Sequence, residues 1–143
     1  MPDRRRAREF AVQILYQIDV SGQGLEEALS LFHGERRIAP PTWLMTERLV
    51  RGARERLAEV DAAITGASQN WRLDRMPVVD RSVLRLAVFE LLYEAETPAV
   101  AVINEAVDLA KQFGGEESGP FVNGLLDAVR KRAAGPPETG RLY

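Results

Sequence analysis

Four arginines, Arg4, Arg5, Arg6 and Arg8, fall within five positions near the start of the chain and form its sharpest concentration of charge. In the first turn of a helix, positive charge opposes the macrodipole at a cost of about 0.3–1 kcal/mol per exposed group. Asp3 offsets only part of that cost. Arg4 and Arg8 lie one turn apart on one side, and Arg5 and Arg6 fan around the helix end, a fork suited to phosphate oxygens gripped bidentately. The same run also suits a solvated, frayed end, and charge alone does not separate the two. Tyr16, roughly three turns beyond Arg5, lies off the centre of the apolar stripe and offers a ring on which an unpaired base can stack. Taken alone it reads rather as a tyrosine at the core margin with a wet hydroxyl.

Few residues suit conventional catalysis. The 143 residues include no Cys and one His, His33. That excludes a disulfide framework, a cysteine nucleophile and thiolate or multi-histidine metal sites. His33 has no acid or nucleophile at useful spacing and reads as a surface or helix-capping residue. Glu116 and Glu117 are adjacent and diverge on any helix, while Glu90 and Glu94 share a face without accompanying ligands. Gly22-Gln23-Gly24 follows no strand and lacks the third glycine of a dinucleotide loop. No enzyme, cofactor or metal is expected. Arg85, Asn104, Glu105 and Asn123 sit inside apolar patterns and read as structural. Arg85 is expected to pair with Glu90 or Glu105, and the asparagines to tie backbone between helices. Ser118 stands where the free N–H groups of a last helix can accept a phosphate, with Glu116 and Glu117 opposing it.

The elements that position these residues are helical. Hydrophobic residues make up 45% and charged residues 28% of the chain, a globular composition. No uncharged apolar run approaches the roughly 18 residues of a transmembrane span. Residues 1–56 hold ten arginines against eight acids and residues 57–143 nine basic against thirteen acidic side chains, so a net charge of −2 hides a basic first half and an acidic second half. Glu9, Gln13, Gln17 and Asp19 interrupt any signal-peptide core, and Asp3 with Glu9 argues against a presequence, so a mature cytoplasmic protein is expected.

Ala7, Phe10, Ala11, Ile14, Leu15 and Ile18 predict a helix from about residue 3 to 20, capped by Asp3 and stopped by Gly22. Leu25 to Phe32 make a short second helix ended by Gly34. Residues 36–41 read as a loop because of Pro40-Pro41, after which Thr42 caps a pattern running to Ile64, either one helix or two joined near Glu59. Residues 70–76 form a connector anchored by Trp71. A centrally buried helix begins at Pro77; another follows a Thr97-Pro98 cap and ends at Gly114-Gly115; a last one opens at 118–120. The fold class is all-α, a compact bundle of six to seven helices in two helical subdomains, 1–58 and 59–132, with a flexible tail at 133–143.

Residues 4–9, 11–13 and 15–16 resemble the opening of the NusB family of transcription antitermination factors. So do Asn70-Trp71, Asp80-Arg81, Leu84-Arg85, Glu90-Leu91, Pro98, residues 101–107 and 109–111, Phe113-Gly114 and residues 121–124. The resemblance covers nearly the whole chain, and the blocks 103–111 and 121–124 are its specific part. It implies a non-enzymatic protein that binds boxA RNA with the ribosomal protein NusE and nucleates an antitermination complex on RNA polymerase for ribosomal RNA synthesis. By position, Arg4, Arg5, Arg6, Arg8 and Tyr16 match the family's RNA-binding motif. Phe113, Glu117, Ser118 and Phe121 match a second RNA-facing region, and Asp80 an acidic position facing NusE or RNA. The same fold resembles the RNA-recognition domain of ribosomal RNA cytosine methyltransferases, which need a catalytic Cys and a further α/β domain. A protein-only helical adaptor is the third reading. A homodimer is compatible with any spare apolar face, which periodicity does not distinguish from core.

Overall fold

The computed structural model describes residues 1–69 and 71–134, so Asn70 and the expected tail beyond Ala134 lie outside the described residues. These residues form seven α-helices and no strand: α1 Arg4–Ser21, α2 Leu25–Gly34, α3 Pro40–Glu55, α4 Leu57–Ala67, α5 Val78–Tyr93, α6 Ala99–Gly114 and α7 Ser118–Ala133, with a 3-10 turn at Leu73–Arg75. None is long and apolar enough to cross a membrane.

Local chemistry sets the ends of α1. The Asp3 carboxylate accepts the Arg6 backbone N–H at 3.0 Å, and Gly22 adopts the left-handed conformation with φ of 74° that stops the helix. The proline pair behaves differently from the expected loop. Pro40 and Pro41 open α3, where a proline's missing N–H costs nothing and its φ is already helical. Ala39, not Thr42, stands at the cap. The Thr42 hydroxyl instead accepts the Asp3 N–H at 3.0 Å, tying the starts of α1 and α3 together. The long pattern that follows is two helices, broken at Arg56. Pro98, not Thr97, occupies the cap position of α6.

The core is one continuous cluster drawn from all seven helices. Its axis is α5, which packs against α1, α3, α4, α6 and α7. Residues 82–90 are buried throughout except Arg85, and each buried large aliphatic side chain contributes about 1.5–3 kcal/mol relative to exposure. Gly52 of α3 lies against the Phe89 ring, so the two helices approach closely.

Arg85 pairs with neither Glu90 nor Glu105. Its guanidinium grips Asp61 of α4 at 2.9 and 3.0 Å and reaches Asp19 of α1 at 3.3 Å. Arg81 joins the same network through Asp19 at 2.8 Å and the Leu73 carbonyl at 3.1 Å. Glu90 lies five residues further along α5, about 140° around the helix from Arg85, on the side that meets α1. Asn104 and Asn123 are exposed on the outer faces of α6 and α7. Neither ties backbone between helices among the described residues, because both side chains point to water.

Candidate nucleic-acid interface

The turn between α6 and α7 builds the centre of the site. Gly115, at φ of 115°, ends α6, and α7 begins three residues later. A Cβ on Gly114 would come within 2.6 Å of the Ser118 hydroxyl and 3.0 Å of Asp80 Oδ1, so only glycine lets the end of α6 reach both residues. Here Tyr16 of α1, Asp80 of α5, Phe113 of α6, Ser118 and Phe121 of α7 and Trp71 of the connector surround a cleft of about 530 Å³, with Glu117 at its rim. Trp71 meets Phe121 edge to face, with ring centroids 6.0 Å apart. The connector anchor expected at Trp71 is thus not buried; its indole is 51% exposed and forms a wall of the cleft. Tyr16 is 39% exposed.

Asp80 is the unusual member. It is only 4% exposed, and Oδ1 is sealed from solvent without a hydrogen-bond partner. A buried acceptor left unsatisfied costs about 1–3 kcal/mol. Its place in the first turn of α5 favours negative charge, but supplies no donor. The cleft presents aromatic faces, a hydroxyl and the Asp80 carboxylate in its wall. With Asp80 and Glu117 both acidic, it suits a planar group carrying N–H donors better than a phosphate.

The four arginines do not act as one fork. Arg4 is exposed and makes no ion pair among the described residues. Arg5 crosses to α6, meeting Glu105 at 3.2 Å and Asp108 at 3.4 Å. Arg6 lies over the Phe10 ring, 5.1 Å from its centroid. Arg8 corrects the expectation that it pairs with Arg4 in gripping phosphate: it is 4% exposed, and its Nε and Nη2 donate to the Glu90 carboxylate at 2.9 and 2.8 Å. Burial works against the Arg8 charge, but the hydrogen bond to Glu90 and attraction from Glu90 and Glu105 outweigh it, raising its pKa above arginine's ordinary value.

A second groove of about 600 Å³ runs between α1 and α2 and shares Tyr16, Val79 and Phe113 with the first. Its upper end carries residues that sequence reasoning did not single out. Arg36 lies flat on the Phe32 ring, 3.7 Å from its centroid, and Phe32 meets Phe10 edge to face at 5.4 Å. The four-residue spacing of Phe32 and Arg36 was the available signal. His33, exposed, stacks on Trp43 at 4.3 Å and stays out of both grooves.

Residues 5–131 match the model of the NusB family. The transcription antitermination protein NusB of Anaeromyxobacter dehalogenans is 51% identical over 96% of this chain and 95% of its own length. A solved structure of T. maritima NusB superposes with a TM-score of 0.86 at 38% identity, covering 99% of this chain and all of that one. A crystal structure of the antitermination factors NusB and NusE in complex with dsRNA superposes with a TM-score of 0.84 at 31% identity, covering 90% of this chain and 96% of that one.

Proposed function

Because the chain belongs to the NusB family, we propose that it is a transcription antitermination factor that binds boxA-type single-stranded RNA together with the ribosomal protein NusE. It works by binding alone, without a catalytic step, in the cytoplasm, and joins the antitermination complex on RNA polymerase. The observation that carries this reading is the convergence of Tyr16, Phe113, Ser118, Phe121 and Asp80 on one cleft, from the four helices α1, α5, α6 and α7. Unpaired bases stack on such rings for about 1–3 kcal/mol each. The Asp80 carboxylate, in the wall of the cleft, accepts an N–H from the edge of an inserted base. Arg4 and Arg6 hold flanking phosphates, with Arg5 joining them when it leaves Glu105 and Asp108. The acidic second half of the chain complements a basic ribosomal protein.

Fluorescence anisotropy tests this reading with boxA RNA and a scrambled control at about 0.15 M salt, each titrated with the protein in the presence and absence of NusE. The expected result is preference for boxA that tightens with NusE. Equal, weak and salt-sensitive binding to both RNAs would reduce the surface to a general polyanion patch. Asp80→Asn, which turns half of the acceptor into a donor, should lower preference among RNAs differing at one base more than it lowers overall affinity.

A further inference from the structure

We propose that the groove between α1 and α2 is a second RNA subsite, which extends the bound strand from the aromatic cleft toward Arg6 and uses Arg36 as its phosphate contact. The proposal rests on the RNA-binding reading above. Three features support it.

The groove is continuous with the cleft, because Tyr16, Val79 and Phe113 line both. A strand stacked on Tyr16 therefore has a direct path along α1.

The lining also suits nucleotides. Gln13 and Gln17 line the groove, and Arg6 continues their face of α1 beyond its end, past the buried Phe10. From Arg6 to Gln17 is about 17 Å of helix, a length that spans roughly five phosphates at stacked spacing. The side-chain amides of Gln17 and Gln23 make no hydrogen bond among the described residues, so both donor and acceptor remain available for base edges.

Arg36 is preorganised. Its guanidinium lies on Phe32 and donates to the Phe32 carbonyl at 3.4 Å, while its side chain stays 38% exposed. Its one ion pair among the described residues is with Glu35, whose carboxylate stands 3.8 Å away and is 70% exposed. Such a pair is weak, so the cation remains open to a stronger phosphate partner.

The test compares labelled RNAs: a boxA core alone, and the same core carrying four unstructured nucleotides at the 5′ end, the 3′ end or both. The full chain is titrated with each, as are Arg36→Ala and Arg36→Lys. Extension at one end should tighten wild-type binding about ten-fold, the scale of one phosphate contact with one stacked base. Arg36→Ala should abolish that gain and leave core affinity unchanged, and Arg36→Lys should retain part of it. Equal affinity for core and extended RNAs would overturn the subsite while leaving the cleft reading intact. Equal weakening of every RNA by Arg36→Ala would also overturn it. If the core itself fails to bind, both readings fall. A gain that vanishes on adding the ribosomal protein would assign the groove to that protein and overturn the proposal.

Discussion

Arg8 and Glu90, 82 positions apart, meet inside the core through two parallel hydrogen bonds of 2.9 and 2.8 Å. The pair joins α1 to α5 at a point where neither charge reaches water. Removing one partner would strand the other in the core, at a cost of about 3–5 kcal/mol.

Accordingly, Arg8→Ala and Glu90→Ala should each lower stability by that amount in urea unfolding. The double replacement Arg8→Met with Glu90→Leu should recover most of it, since a packed apolar pair avoids both desolvation penalties. RNA affinity of the recovered double variant should match the wild type. A large affinity loss in a variant of normal stability would return Arg8 to the binding surface.

Arg4 and Arg6 are exposed without carboxylate partners among the described residues. Each replacement by Ala should flatten the dependence of log K on log salt by about 0.7, one phosphate contact on a single strand. Melting temperature should barely move. An unchanged slope in the double variant would place the phosphate path elsewhere.

Gly52→Ala puts a methyl group within 2.1 Å of the buried Phe89 ring, which must shift to admit it. Overpacking of this kind costs about 1–3 kcal/mol. Gly124→Ala, in the exposed interior of α7 with nothing within 4 Å, should instead stabilise by about 0.5–1 kcal/mol through helix propensity. Chemical denaturation of the two variants should therefore shift in opposite directions.

Two surface carboxylates set an acid dependence. A hydrogen bond from Arg51 holds Glu26 below its ordinary 4.5, and one from Lys131 holds Asp127 below its ordinary 3.8. Both folded-state values are depressed, so the stabilisation is fully present above the ordinary values and is lost as pH falls below them through the lower folded-state values. Both groups are exposed, so the effect is small and screened by salt. Between pH 6 and 3 at low salt, the double variant Glu26→Gln with Asp127→Asn should show a shallower fall in melting temperature than the wild type. Superimposable curves would mean that the pairs do not form in solution.

Most of the fold is legible in the chain because helix ends are local events. Asp3, Gly22 and Gly115 carry their instructions in their own side chains or in the lack of one. Pro40-Pro41 is ambiguous by nature: the same missing N–H breaks a helix from within and suits its first turn. The site is less legible because its parts are not local. The spacing of Arg4 and Arg8 suggests a shared phosphate-facing side, and only the fold reveals that Glu90 waits opposite Arg8. Arg85 sits in an apolar run whose neighbours give no hint that its partners lie on α1 and α4. The convergence of Tyr16, Asp80, Phe113 and Phe121 depends on the α6–α7 turn. No spacing within a single helix encodes it.

The two carboxylates facing Arg5 make the protein its own competitor. A phosphate reaching Arg5 does not meet a vacant cation, because its Nη1 is already held by Glu105 and Asp108 at 3.2 and 3.4 Å. The gain is then a difference between two ion pairs rather than the full strength of one. A polyanion that engages Arg5 alone gains little by the exchange. If Arg5 joins the RNA contacts proposed above, a strand already seated at its neighbours would tip the balance, and the intramolecular decoy would set how much of an RNA must be in place before the last arginine lets go of its own chain.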